Sequence, residues 1–493
     1  MIRRCPESPD KGPIPIDNDV SRPREQCGVF AVYGDPRAVE LTHYALYALQ
    51  HRGQESAGIA ASKDGAIRFH RGMGLVSEVF DRHILEDLGG SAGVTAAIGH
   101  VRYSTTGDTN LANAQPLKIR FIGGELALAH NGNLVNAGEL RRELEEQGSI
   151  FQTTLDTEVI AHLVARKGGL PVVEAIGQSL SLCEGGYALV FLTPKAVMAA
   201  RDPNGIRPLS LGRLGEAWVV ASETCAFDTI GATFERDLDP GELLVIDDSG
   251  IKSMTFKRPG ELRLCIFEYI YFARPDSDLR GLNVHAARKR LGRRLAQDFP
   301  VDADLVTGVP DSSISAASGY AEASGIPYEM GLIKNRYIGR TFIQPKQEMR
   351  DLGVHLKLNP LRSLVRGKRI VLVDDSIVRG TTSRHIVSLL RDAGAKEVHL
   401  RISSPPYRYP CHFGIDTRAR SELIAAFKDP EEIERIVGAD SLRYLSLDAM
   451  IEAVGCGRRD FCVSCFDGNY PVKIPEGVSK RMFEGPSGSP ITR

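Results

Sequence analysis

No stretch of this sequence strings together the roughly eighteen apolar residues that a helix needs to cross a bilayer, so no membrane span is expected. Neither charge dominates: 61 Lys and Arg face 62 Asp and Glu. So even a balance carries no global basic field, which argues against nucleic acid as the main partner while leaving local anion sites open. The first 26 residues (MIRRCPESPDKGPIPIDNDVSRPREQ) lack the apolar core of a secretory signal. Rich in Pro and charge, they read as a disordered leader or propeptide. Nine cysteines are an odd number for a disulfide framework. Without a signal they point to a reducing, cytoplasmic compartment and to thiol or metal chemistry. Internal repeats and low-complexity tracts are missing too.

What is present exceeds one ordinary core. A length of 493 residues suggests two or three domains, and 42% hydrophobic with 25% charged residues is a soluble globular balance. From Cys27 to about Lys257 short β-type runs alternate with turns: CGVFAVYG (27–34), GVTAAIGHVRYST (93–105), ELALAHNG (125–132) and YALVFLTP (187–194). Helical patterns interrupt them at 36–51 and around 156–168, an α+β reading with antiparallel sheets. The turn-rich RPGEL (258–262) is the expected domain boundary. Beyond it strands and helices alternate: ADLVTGVP (303–310), a helix near 313–324, KRIVLVDDS (368–376), a helix near 381–393, and EVHLRISSP (397–405). Continuous apolar strands in that alternation predict a parallel, doubly wound sheet over 258–474. A Gly, Pro and Ser rich tail, 475–493, is expected to be mobile.

The sharpest motif is Val371-Leu372-Val373-Asp374-Asp375-Ser376-Ile377-Val378-Arg379-Gly380-Thr381-Thr382. In an open α/β sheet, ligands bind outside the carboxyl ends of strands, where such a loop sits. Gly380 permits a tight turn, and Thr381, Thr382 and the amides of a helix N-terminus can cradle a phosphate. Vicinal carboxylates suit sugar hydroxyls or a Mg²⁺ shared with the substrate's phosphates. A lone Asp pair would more simply cap the helix. Here strand, acids and Gly-Thr-Thr come in order, and the segment resembles the signature of type I phosphoribosyltransferases. A second loop, Gly308-Val309-Pro310-Asp311-Ser312-Ser313, offers amides and hydroxyls to a pyrophosphate, though Pro-Asp-Ser is also a common turn. Lys334 to Phe342, with Arg340 and, further on, Lys346 and Arg350, makes either a cationic lid over an anion or a solvated loop.

Cys27 opens the first strand directly after the leader. If the leader is removed, its α-amine, titrating near ~7.7–8.0, becomes a general base for its own thiol. A small apolar residue in a strand is the commoner role of cysteine. Its companions are His51-Arg52-Gly53-Gln54-Glu55-Ser56-Ala57-Gly58, Gly99-His100-Val101-Arg102-Tyr103-Ser104-Thr105 and His130-Asn131-Gly132-Asn133-Leu134. Together these resemble the glutaminase domain of N-terminal-nucleophile amidotransferases. The resemblance implies that Arg102 holds the glutamine α-carboxylate, with Thr105 also binding glutamine. It implies an oxyanion hole from Asn131 and the amide of Gly132, and Asp156 for the ammonium group. Residue by residue, the bland alternatives are a surface salt bridge, an Asn-Gly turn and a helix N-cap.

Both halves together resemble the glutamine phosphoribosyl pyrophosphate (PRPP) amidotransferases. That resemblance implies an αββα glutaminase domain (27–257) followed by an α/β type I phosphoribosyltransferase domain. Glutamine and PRPP would be the substrates, with Asp374, Asp375, Ser376, Arg379, Gly380, Thr381, Thr382, Lys334 and Arg340 binding PRPP. Mg²⁺ would sit at Asp374 and Asp375, with Ser312 as a further ligand. The family passes ammonia through an internal channel, and Tyr269 lies where a lining aromatic is expected, although core packing explains it equally well. A homotetramer and feedback inhibition by purine nucleotides are implied as well.

Cys462-Val463-Ser464-Cys465, with Cys265 and Cys411 far upstream, could close a tetrahedral site for zinc or an iron–sulfur cluster, and softness does not separate the two. The resemblance does: one branch of the family, which also has a propeptide, holds a [4Fe–4S] cluster in these contexts. Cys5, Cys183, Cys225 and Cys456 have no assigned role. Two rivals remain. An amidotransferase acting on a sugar phosphate would lack the Asp374-Asp375 loop. A regulator that only senses PRPP would have no use for Cys27.

Overall fold

Strand β1 (Gly28–Tyr33) shows why the first half folds in layers. Successive side chains of a strand point to opposite faces, and here Phe30 and Val32 enter one core while Val29 and Ala31 enter another. The structure is a computed structural model that describes residues 27–89, 93–103, 107, 109–335, 358–417, 419–455, 457–475 and 483. The leader with Cys5, and Thr105, Arg340, Lys346, Arg350 and Cys456, lie outside the described residues.

After β1 come β2 (Ser56–Lys63), β3 (Ala66–Met73), β4 (Ala96–Arg102), β5 (Leu117–Phe121), β6 (Gly124–Leu134), β7 (Gly185–Leu192) and β8 (Ala196–Arg201). Then follow β9 (Ser210–Leu214), β10 (Ala217–Ala221), β11 (Thr233–Asp237), β12 (Glu242–Asp247) and β13 (Gly250–Thr255). They form two antiparallel sheets, ordered β11-β9-β10-β1-β4-β2-β3 and β13-β12-β8-β7-β6-β5. The inner faces meet through Val29, Ala31 and Ile98 from one sheet and Ala129, Val190 and Leu244 from the other. Helices α1 (Ala38–Ala48) and, later in the chain, Cys225–Ile230 cover the seven-stranded sheet. Helices α2 (Ala137–Glu146), α3 (Thr157–Ala165) and α4 (Val172–Leu180) cover the other. This is the αββα sandwich. The register Gly28↔Val101 extends to set Cys27 across from Arg102.

Residues 256–263 carry neither helix nor strand. The second half begins with β14 (Leu264–Cys265) and continues with α5 (Val284–Asp298), β15 (Leu305–Gly308), α6 (Ile314–Ser324), β16 (Arg369–Asp374), α7 (Thr381–Asp392) and β17 (Glu397–Ile402). It closes with α8 (Pro430–Val437), β18 (Ser441–Tyr444), α9 (Leu447–Val454) and β19 (Phe461–Cys462). Strands β15-β16-β17-β18 form a sheet paired in parallel throughout. Both faces of β16 are buried: Val371 and Val373 meet α5, α6 and α9, while Ile370 and Leu372 meet α7 and α8. That is why the strand reads as one apolar run. Tyr328 bridges to Val306 in parallel on the far side of β15, so the chain steps outward from β15 before returning to β16. The reversal makes the sheet doubly wound, with its switch point between β15 and β16.

Helix α8 is fixed at both ends, by a capping box of Asp429 and Glu432 with Pro430 at its start and by left-handed Gly438 at its end. Phe483, in the tail, packs against the first-half core with the Arg141 guanidinium 4.7 Å from its ring centre, a contact the tail's composition does not announce. Among the described residues no helix is long and apolar enough to cross a membrane.

Helices α5 and α6 approach so closely that a Cβ on Gly292 would stand 1.8 Å from the Ala316 oxygen, and one on Gly319 2.0 Å from the Lys289 oxygen. Backbone cannot yield as a flexible side chain can. Gly292→Ala is expected to destabilise the protein by about 1–3 kcal/mol in chemical denaturation, as overpacking does.

Candidate active sites

The first site lies where β1 starts. Cys27 is buried, and its thiol donates to the Tyr103 carbonyl at 3.2 Å. Burial pushes the thiol pKa up, only partly opposed by the Tyr103 backbone and the Arg102 guanidinium. A thiol in that state needs a base to become a nucleophile. Asn131 and Gly132 come from β6, in the other sheet. The Val29 amide donates to Ser222 Oγ at 3.0 Å and Asn131 Nδ2 reaches the same oxygen at 3.5 Å, so Ser222 ties the cysteine strand to Asn131. Asn131 Oδ1 is buried without a hydrogen-bond partner. Gly132 has φ +141, and a Cβ there would lie 2.0 Å from the Gly186 oxygen, so only glycine fits.

Arg102 is buried, 3.8 Å from Glu55, with a further long contact to the Gly107 carbonyl. Asp156 precedes α3. Its carboxylate accepts the Leu134 amide at 2.9 Å and stands 3.5 Å from His130 Nδ1. Burial works to raise its pKa, but His130 and the Leu134 and Thr157 backbone outweigh it and hold the carboxyl below its ordinary value. An anionic Asp156 and a cationic Arg102, both near enough to act on the Cys27 thiol, are opposite charges suited to an amino acid's two backbone ends.

Beneath this site lies an ion cluster. Arg52, wholly buried, donates from Nε to the Cys27 carbonyl at 3.0 Å. Its two terminal nitrogens fork onto Glu268, 2.9 Å each, and one also meets Glu223. Glu223 in turn takes His51 at 2.8 Å, the Arg274 amide at 2.9 Å and Ser277 Oγ at 2.7 Å. Both carboxylates are fully buried. Arg52 stands in a sequence motif without an assigned role, and Glu268 stands in none of the motifs. The available signal was a lone carboxylate inside the apolar run Leu264 to Phe272.

The second site gathers at the switch point of the parallel sheet. Asp374 ends β16, Gly380 turns with φ +78, and α7 begins at Thr381. Ser313 donates to Asp374 at 3.1 Å, while Ser312 and Ser376 (2.7 Å) donate to Asp375. The loop after β15 and the loop after β16 are thus one unit, with both carboxyls almost fully buried. Lys334 pairs with Asp311 at 2.8 Å, bringing one expected PRPP cation to this rim. Arg379 is instead turned to Glu422. Thr105 and Arg340, expected at the two sites, lie outside the described residues. Tyr269 is a core residue whose hydroxyl donates to the Leu279 carbonyl at 2.6 Å.

Cys265, Cys411, Cys462 and Cys465 meet where β14 pairs in parallel with β19, in the register Cys265↔Cys462. None of the cysteines among the described residues is in a disulfide. Burial raises the thiols of Cys265, Cys462 (to about 11) and Cys465, and the neighbouring thiols oppose ionisation further. Arg207 stands over Cys265 and Cys462 as the opposing charge, and its buried Nε and Nη1 have no hydrogen-bond acceptor. A buried guanidinium with unused donors beside four thiols fits an anionic thiolate-held centre. Among the described residues no three His, Cys, Asp or Glu side chains stand ready for a single metal ion.

Comparison with known proteins decides the family. A glutamine amidotransferase domain model matches residues 100–229, and a phosphoribosyl transferase domain model matches 281–403. The amidophosphoribosyltransferase of Bacillus subtilis (strain 168) is 54% identical over 458 residues, covering 91% of this chain and 95% of its own. This chain belongs to the amidophosphoribosyltransferases. The amidophosphoribosyltransferase of Synechococcus elongatus is 52% identical over 472 residues, 94% of this chain and 95% of that one. A solved amidophosphoribosyltransferase, the B. subtilis glutamine PRPP amidotransferase complexed with ADP and GMP, superposes with a TM-score of 0.87 at 53% identity, over 92% of this chain and all of that one. The amidophosphoribosyltransferase fold here is accordingly a glutamine amidotransferase domain followed by a phosphoribosyltransferase domain.

His100, on β4 beside the Cys27 site, donates from Nε2 to the His130 carbonyl at 3.1 Å, and burial drives its pKa down to about 3. The folded protein keeps it neutral, whereas the unfolded chain binds a proton below about pH 6.5. Stability is therefore lost as pH falls from about 6.5 towards about 3, by up to about 1.4 kcal/mol per pH unit. His100→Gln is expected to flatten that limb in denaturation profiles taken across the window.

Proposed function

We propose that this protein transfers ammonia from glutamine to PRPP, giving 5-phosphoribosylamine, glutamate and pyrophosphate, the first step of de novo purine synthesis. The observation that carries the reading is one chain holding both a buried Cys27 between Arg102 and Asp156 and an Asp374-Asp375 loop at a doubly wound switch point. Glutamine would lie with its α-carboxylate on Arg102 and its ammonium group on Asp156. Cys27 sulfur would bond to the amide carbon, its proton passing through the α-amine that removal of residues 1–26 exposes. Asn131 Nδ2 and the Gly132 amide would hold the oxyanion. The C–N bond then breaks, ammonia leaves with the proton, and water cleaves the thioester to glutamate.

In the second half, ammonia would bond to ribose C1 as the bond to pyrophosphate breaks. Asp374 and Asp375 would bind the ribose hydroxyls, and the amides and hydroxyls of Ser376 to Thr382 the 5′-phosphate. Their hard oxygen donors, with Ser312, fit Mg²⁺, which would neutralise pyrophosphate charge when bound. The four cysteines would hold a [4Fe–4S] cluster that ties β14, the Cys411 loop and β19 together without taking part in turnover. The reading also includes a cytoplasmic homotetramer and inhibition by purine nucleotides, the last supported by the ADP and GMP on the B. subtilis relative.

Glutamate release by anaerobically purified protein is expected to rise at least roughly tenfold with Mg–PRPP, as substrate closure at one site commits the other. Cys27→Ala should abolish glutamine-dependent turnover but keep the ammonia-dependent reaction, whereas Asp375→Asn should do away with both PRPP reactions and leave basal glutamate release. Equal release with and without PRPP would contradict the acceptor. Iron and acid-labile sulfide in equal amounts, with brown colour lost in air, are expected on elemental analysis; zinc in a colourless protein would overturn the cluster.

A further inference from the structure

Arg52 touches three parts of the chain at once. Its Nε holds the carbonyl of Cys27, whose carbon is two bonds from the thiol-bearing Cβ. Its fork rests on Glu268, three residues after Cys265 and in the π-type turn Glu268–Phe272 that opens the second half. Glu223, which it also meets, belongs to the first half but is gripped by the Arg274 amide and Ser277 of the second. Both carboxylates on Arg52 are therefore anchored in residues 268–277.

We propose that Glu268 is a positioning residue for the glutamine reaction, acting through Arg52 on the Cys27 carbonyl. A guanidinium fork on a carboxylate fixes direction as well as distance, because both are planar and bonded twice. The Glu268 backbone cannot drift freely: Ile206 accepts the Cys265 amide at 3.0 Å, and the Ala273 amide returns to the Glu268 carbonyl at 3.1 Å. A displacement of this turn is passed through Arg52 to the nucleophile, and a nucleophile misplaced by about 1 Å can lose roughly 100-fold in rate. The state of the second half thereby sets the competence of the first. This inference rests on Cys27 being the nucleophile.

The test compares Glu268→Gln, which keeps the shape of the side chain and removes its charge, with the unaltered holoenzyme in two assays run in parallel. One follows glutamine-dependent turnover, the other turnover with ammonium as nitrogen source. Glutamine-dependent kcat is expected to fall roughly 10- to 100-fold, with the ammonium-dependent rate within about twofold, and Glu268→Asp to recover part of the loss. Arg52→Lys, which keeps the charge and loses the fork, should give the same split, and serves if Glu268→Gln does not accumulate as soluble protein. Proportional loss of both activities would reduce Glu268 to a folding contact and overturn the proposal, as would no loss in either. If the unaltered protein released no glutamate while using ammonium, the reading of Cys27 would fail first and this inference with it.

Discussion

A guanidinium buried between two carboxylates is the constraint around which this chain is arranged. Arg52 has no water to turn to, and neither have Glu223 and Glu268. Removing one member of such a cluster leaves an uncompensated charge, at a cost of about 3–5 kcal/mol. Each partner is accordingly saturated from a different direction: β1 through the Cys27 carbonyl, α1's end through His51, and the second half through Arg274 and Ser277. Arg207 extends the cluster, 3.8 Å from Glu268 on one side and donating to the Phe413 carbonyl, two residues from Cys411, on the other. The glutamine site, the domain junction and the cysteine quartet are in this way neighbours in one polar core.

The two sites answer opposite chemical demands with opposite settings. At Cys27 burial keeps a thiol protonated until a base is supplied, while Asp156 stays ionised because His130 and backbone amides outweigh the same burial. At Asp374 and Asp375, serine hydroxyls from two loops satisfy the carboxylates, so the acids are oriented before any sugar or cation arrives. The antiparallel sandwich brings distant strands together at one end, and the parallel sheet gathers loops at its carboxyl edge. Each architecture suits its site.

Much of this was legible beforehand, for identifiable reasons. The strands over 27–34, 368–376 and 397–405 declared themselves by apolar alternation or by unbroken apolar runs, and the Asp374 to Thr382 loop by its order of residue types. Helix α5 went unread because Arg288, Lys289, Arg290, Arg293 and Arg294 dilute the stripe of Val284, Ala287, Leu291 and Leu295 that it buries. Ser222 had no local signal at all, since its importance comes only from the pairing that sets β10's end beside β1. Glu268 and Arg52 are far apart in sequence, and no local pattern reports that a charge in an apolar run has found its partner.

The most direct test of the central claim is a double-mutant cycle on urea unfolding with Arg52→Met, Glu268→Met and both together. If the junction is what holds the halves in register, either single change already forfeits the Arg52–Glu268 fork and leaves its partner's buried charge less compensated, so the second change has less left to lose. The double variant is then less destabilised than the sum of the singles by at least about 1 kcal/mol. Strictly additive losses would contradict the account, because they would mean that Arg52 and Glu268 stabilise the protein independently of one another.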